Sequence, residues 1–260
     1  MKPFQILAAI VLAAAATFAH AVGRMVDLAV QDRATGRELP VYWHDGKPYV
    51  VGRPGGEYRI VLRNRRGEDF LAVVSVDGVN VLSGETASPD QDGYVLSAWQ
   101  RMDVAGWRKS LDEVAAFYFT SLGDSYAGRT GRPANVGAIG VALFRRAAPP
   151  PRVFQDVAPE RKREEWPGSA NSAPPAESRL LPRAAQAPAA QGAPLGTGHG
   201  PREDSRVRYV EFERASLRPI ETITLYYDSY PNLVAQGVIA QPRHPRDPDP
   251  FPARFVPDPC

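Results

Sequence analysis

The residues that could do chemistry in this 260-residue chain are few, and most lack the partners such chemistry needs. Ser121-Leu122-Gly123-Asp124-Ser125-Tyr126-Ala127 sets a serine in a short glycine-bearing turn, but a serine hydroxyl attacks only when an adjacent base takes its proton. The chain has four histidines, at positions 20, 44, 199 and 244. His44-Asp45, Asp90-Gln91-Asp92 and Asp247-Pro248-Asp249 are short polar clusters. None follows the ordered oxygen series ending in a bidentate Glu that a calcium loop requires. Gly196-Thr197-Gly198-His199-Gly200 and Gly137-Ala138-Ile139-Gly140 lack the spacing of a dinucleotide-binding turn. Glu57, Asp77, Asp103, Asp112, Glu113 and Asp124 are all eligible for a carboxylate pair of the glycosidase kind, so none stands out. These absences lead to the expectation of no catalytic set, no metal and no cofactor.

Binding is the alternative. Tyr42, Trp43, Tyr49, Trp99 and Trp107 fall in or beside loops and strand ends, where aromatic faces stack on sugar rings, although large aromatics also pack cores. Arg63, Arg65, Arg66, Arg129, Arg132, Arg145 and Arg146 recur at turns and could meet anionic polymers. Tyr42, Trp43, Trp99, Trp107, Arg129 and Asn135 are taken as the candidate binding residues.

Composition narrows the field. Thirty-one basic and 29 acidic side chains leave a formal charge of +2, too little for the electrostatic footprint of a nucleic-acid binder. A hydrophobic fraction of 43% is enough to build a core. The single cysteine, Cys260, excludes an intrachain disulfide, a thiolate zinc site and an iron–sulfur cluster, and leaves only an intermolecular disulfide open.

The elements that must carry these residues are strands. Glu57–Asn64 alternates Tyr58, Ile60 and Leu62 against Arg59 and Arg63, the period of a half-buried strand. Phe70–Val76 is a continuous apolar run suited to a strand buried on both faces. Asp77-Gly78 then predicts a tight hairpin into Val79–Leu82. Val26–Val30, Val41–Val51 (bent at His44-Asp45-Gly46), Gly93–Ser97, Glu113–Ser121 and Asn135–Phe144 bring the count to about eight. Strands at this spacing predict an all-β, antiparallel sandwich over residues 25–146.

Outside that domain the composition changes. Lys2, the apolar run Ile6–Phe18 and Ala19-His20-Ala21 read as a signal peptide over residues 1–21, too short to span a bilayer, which places the mature protein in the periplasm or outside the cell. No transmembrane segment is expected after its removal. Residues 147–200 hold ten prolines and five glycines, so 147–201 is expected to be a disordered linker. Val207–Glu213 and Glu221–Asp228 alternate as strands, and Asn232–Gly237 reads as a short helix ending at glycine. Residues 202–240 thus form a small hairpin-plus-helix segment able to pair with an edge of the sandwich, and the Pro-rich 241–260 is a frayed tail.

Two resemblances bear on this. Gly123-Asp124-Ser125 resembles the nucleophile block of the SGNH (GDSL-type) esterases, which implies an Asp-x-x-His partner near the chain end. Val41, Gly196 and Gln241 stand three before His44, His199 and His244, and the family's Gly-x-Asn-Asp block is missing. More extensively, Val74-Ser75-Val76-Asp77-Gly78-Val79-Asn80-Val81-Leu82-Ser83-Gly84, Gly93–Leu96, Gly106-Trp107-Arg108, Tyr126–Val141, Val207–Arg214 and Tyr226–Ser229 resemble a family of exported bacterial proteins with no established activity. That resemblance covers about residues 50–146 and 196–240. It implies export and a two-part architecture, and transfers no catalytic residue. The sequence therefore points to a non-catalytic exported module that binds an envelope protein or cell-wall polymer, with a serine or carboxylate hydrolase and a glycan-binding module as the alternatives.

Overall fold

The strand periodicities translate directly into two packed sheets. A computed structural model describes residues 21–148 and 192–240. In chain order the elements are β1 (Val26–Asp32), β2 (Val41–His44), β3 (Lys47–Val51), β4 (Glu57–Asn64), β5 (Phe70–Val76), β6 (Val79–Asn80), β7 (Tyr94–Leu96), β8 (Arg101–Val104), β9 (Gly106–Arg108) and β10 (Glu113–Ser121). Then come α1 (Tyr126–Arg129), a 3-10 turn (Pro133–Asn135), β11 (Ala138–Arg145), β12 (Leu195–Asp204), β13 (Glu221–Asp228) and α2 (Tyr230–Ala235). One sheet, A, runs β1-β4-β10-β12, with β8 on β4 and β9 on β10. The other, B, runs β2-β3-β13-β11-β5-β6, with β7 on β5. The protein is an all-β sandwich.

Alternate residues of β4 and β10 face inward, so Tyr58, Ile60, Leu62, Phe117 and Phe119 pack against Phe70, Val74, Ile139, Leu143 and Leu225 from sheet B. The Tyr58 ring stacks on Phe119 at 4.3 Å, and Trp107 meets Phe117 edge-on at 5.2 Å. β5 is covered on both faces, as its unbroken apolar run requires. Its outward Leu71 and Val73 join Ala142 and Phe144 in a second cluster capped by Val95 and Phe212. Both Asp-Gly pairs make the expected turns. Asp45 and Gly46 have φ of 48° and 72°, and Asp77 and Gly78 have 54° and 73°, the left-handed pair that matches strand twist in a two-residue hairpin.

Several expectations need correcting. Residues 25–146 hold eleven strands rather than about eight, because Val41–Val51 is two strands, β2 and β3, paired across the Asp45-Gly46 turn, and the short β8 and β9 lack a periodic signature of their own and exist by pairing with β4 and β10. The pairing is antiparallel except at β13, which lies parallel to β3. No hairpin constrains it, because a long connection precedes it. Residues 195–201, assigned to the linker, are the first two-thirds of β12. Its alternate glycines reflect close approach, since a Cβ on Gly198 would lie 2.2 Å from the Tyr118 ring and one on Gly196 2.5 Å from Ser125 Cβ. Val207–Glu213 is not a strand. It crosses from sheet A to sheet B, seating Val207 on the main core and Phe212 on the outer cluster. Consequently 202–240 is not a separate hairpin: β12 extends sheet A, whereas β13 lies inside sheet B between β3 and β11. α2 begins at Tyr230, two residues ahead of the expected helix, because the Ser229 side chain caps it, and Gly237 at φ 75° ends it. The proposed leader, the centre of the linker, the tail and Cys260 lie outside the described residues.

Candidate functional site

The most completely buried polar chemistry lies between the sheets. Asp77 at the β5–β6 turn is 1% exposed. Its Oδ1 accepts from the Tyr227 hydroxyl (2.6 Å) and the Gly137 N–H (2.9 Å), and its Oδ2 accepts from the Thr197 N–H (2.8 Å). The Tyr227 hydroxyl is 2.7 Å from Thr197 Oγ1, which is 2.6 Å from the Tyr58 hydroxyl. An ionised carboxylate only accepts, so the protons must run from Tyr58 to Thr197 to Tyr227 to Asp77. A neutral Asp77 reverses the whole row without losing a bond. Burial pushes the Asp77 carboxyl up to about 6, against the opposing pull of Tyr227 and the backbone N–H groups, and burial raises both tyrosines well above their usual value. Tyr58 and Asp77 come from one side of the 149–191 stretch, Thr197 and Tyr227 from the other. This row, whose Tyr58, Asp77, Thr197 and Tyr227 are all buried, locks the carboxy-terminal strands into the sandwich.

Ser125, the esterase candidate, is also enclosed. Its Oγ accepts from the Gly128 N–H (3.0 Å) and donates to the Leu122 carbonyl (2.7 Å), so the hydroxyl is the amino-terminal cap of α1. Among the described residues no histidine is hydrogen-bonded to it, and no group of three His, Cys, Asp or Glu side chains is placed to hold a metal. Asp90 sits exposed in a turn, accepting from the Ser88 hydroxyl.

The short α1 segment does position an accessible site. Capping by Ser125 turns the chain so that Tyr126 lies against Trp107, with ring centroids 4.8 Å apart, and over His199 of β12 at 6.0 Å and 25°. The Arg132 guanidinium sits 5.9 Å from the Tyr126 ring and is anchored by a bond of 3.0 Å to the Gly84 carbonyl. Burial holds the half-buried His199 below its usual pKa, and Lys109, Arg202 and Arg129 add to the depression. At neutral pH the site is therefore an uncharged imidazole and a phenol ring ringed by cations. Arg202 pairs at 3.2 Å with Glu113, an exposed contact of little worth. Neither the Lys109 nor the Arg129 side chain makes an ion pair or hydrogen bond with any described residue. Such an array can take an oxyanion against a flat aromatic face.

The sequence candidates fall in different places. Trp107 and Arg129 meet in this site, but Trp107 is 3% exposed, with its indole N–H donating to the Gly198 carbonyl at 3.0 Å. It supports Tyr126 from below and offers no face to a ligand, which corrects the expectation of a contact residue. Asn135 is exposed nearby in the 3-10 turn and packs against Gly78, where an added Cβ would come within 2.8 Å of the Asn135 Cβ. Trp99, 71% exposed with φ 61°, stands on the β7–β8 loop, whereas Trp43, 57% exposed, and Tyr42 belong to the β2 edge of sheet B. The six residues do not form one platform. Of the other residues here, Arg132 stands out in sequence only as one of seven turn arginines, and Tyr126, Lys109, His199 and Arg202 are not among the candidates. His199 lies in a glycine tract that reads as linker, and Tyr126, Lys109 and Arg202 carry no binding signal until β9, β12 and α1 come together.

Fold and site together define a β-sandwich with an enclosed polar lock and an open aromatic–cationic patch. No protein-family model, curated protein or solved structure matches the chain.

Proposed function

We propose that this is a non-catalytic, exported envelope protein whose α1 patch binds an anionic polymer of the cell surface. The observation that carries the reading is His199 beside Tyr126 with Lys109, Arg129 and Arg202 around it, two of these cations having no partner among the described residues. Export to the periplasm or beyond is supported by the leader-like pattern of residues 1–21 and by the resemblance to exported bacterial proteins. The non-catalytic reading is supported by Ser125 acting as a helix cap and by Asp77 being closed off from ligands. Among the described residues no helix is long and apolar enough to cross a membrane.

The test is binding of the full chain to polygalacturonate, with neutral mannan as control, for the wild type and a Lys109→Ala/Arg129→Ala variant. Two exposed charge contacts at roughly 0.5–1 kcal/mol each amount to a loss of about 5- to 30-fold. Added salt weakens the wild-type interaction by screening. Equal binding by the variant, or equal affinity for mannan, contradicts the proposal.

A further inference from the structure

A second aromatic feature lies on the outer face of sheet B, away from the α1 patch. Tyr42 is opposite Tyr49 across β2–β3, Tyr49 is opposite Tyr226 across β3–β13, and Tyr226 is opposite Ala138 across β13–β11. Three tyrosines on adjacent strands thus form a row that steps down to a small side chain. The Tyr49 and Tyr226 rings are 5.4 Å apart, and Lys47 Nζ lies 5.8 Å above Tyr226. A groove of about 220 Å³ opens beside them, lined by Tyr49, Tyr226, Val136, Gly137, Asp228 and Gln236.

We propose that this row docks the chain's own proline-rich segment, Pro242-Arg243-His244-Pro245-Arg246-Asp247-Pro248. Neighbouring strands lie about 4.8 Å apart, so the row from Tyr42 to Tyr226 spans about 9.6 Å. A polyproline II helix rises about 3.1 Å per residue with three residues per turn, which puts prolines three apart on one face at a repeat of about 9.3 Å. Pro242, Pro245 and Pro248 have that spacing, and aromatic-lined grooves are the usual seats for such segments. The end of α2 lies beside the row, since Gln236 lines the groove with Tyr49 and Tyr226 and a Cβ on Gly237 would lie 3.9 Å from His44 Cε1. Only Val238, Ile239, Ala240 and Gln241 stand between Gly237 and Pro242. Lys47, which has no ion-pair partner among the described residues, complements Asp247 and Asp249.

The test uses a fluorescein-labelled peptide spanning residues 240–252, read by polarisation as the full chain is titrated through and above the expected Kd. The comparison is wild type, a Pro242→Ser/Pro245→Ser/Pro248→Ser variant, and that variant carrying Tyr226→Thr. A tethered segment has an effective concentration on the order of 1 mM. A peptide with a Kd of about 0.1 mM is therefore expected to bind the proline variant about tenfold more tightly than the wild type, whose own segment competes. Tyr226→Thr is expected to remove that binding while the circular dichroism spectrum and melting temperature show the sandwich intact. No binding to the proline variant, equal binding to both chains, or binding indifferent to Tyr226→Thr overturns the proposal.

Discussion

Replacing Asp77 by Asn tests the polar lock that joins the two parts of the chain. The folded carboxyl, at about 6, lies roughly two pH units above its ordinary 3.8. The folded state therefore binds this proton more tightly than the unfolded chain does. Its contribution to stability is complete below about pH 4 and is lost as pH rises through about 6. At 1.36 kcal/mol per pH unit the loss is about 3 kcal/mol. The amide of the Asp77→Asn variant does not titrate, so its stability curve lacks this fall. The amide oxygen can still accept from Tyr227 and Gly137, but its NH2 group meets the Thr197 N–H, two donors face to face, at a cost of about 1–3 kcal/mol. Urea unfolding of both proteins from about pH 4 to about pH 7 is expected to show Asp77→Asn clearly less stable at the acid end. The gap should close by about 3 kcal/mol, or change sign, at the neutral end. Asp77→Ala strands three buried donors and is expected to be the weaker protein at every pH. A difference between wild type and Asp77→Asn that stays constant to within about 0.5 kcal/mol across the range would refute the reasoning. It would mean that the three donors stabilise the carboxylate as fully as water does.

Trp107→Phe removes the indole N–H that donates to the buried Gly198 carbonyl and is expected to cost about 1–3 kcal/mol, measured as a shift in urea midpoint. A change below about 0.5 kcal/mol would show that the indole bond contributes nothing. Residues 21–148 expressed alone are expected not to fold. The buried Leu195, Ile223, Leu225, Tyr227 and Leu233 together represent about 10 kcal/mol of burial, comparable to a whole domain's stability. Co-expression with residues 192–240 as a separate chain is expected to restore a soluble complex that co-purifies. A folded 21–148 fragment on its own would contradict the two-sheet completion.

The long strands were legible because their patterns are local. β4 alternates, β5 is unbroken, and the Asp45-Gly46 and Asp77-Gly78 turns require little beyond two residues. What escaped was set by distant partners. β12 has Leu195 and Thr197 as its only apolar or β-branched residues before Pro201, so propensity assigns it to a loop, yet its glycines are what let β10 and Tyr118 approach. Val207–Glu213 alternates like a strand but must bridge two sheets, which breaks its ladder. In sequence Asp77 reads as a turn residue and as one of six undistinguished carboxylates. Its second role depends on Thr197 and Tyr227, which lie 120 and 150 residues away. For the candidate site, Arg129 stands out from its turn and Trp107 from its size, whereas Tyr126 and His199 become partners only when α1 folds over β12.

The most direct measurement for the proposed function is an NMR pH titration of the His199 imidazole with and without polygalacturonate. Alone, His199 is expected to titrate below 6.5, held down by burial and by Lys109, Arg202 and Arg129. A bound polyanion neutralises those cations, so the midpoint is expected to rise on adding polymer. By linkage, affinity then increases as pH falls through that midpoint. An imidazole whose titration is unmoved by saturating polymer, while binding occurs elsewhere on the chain or not at all, would contradict the account.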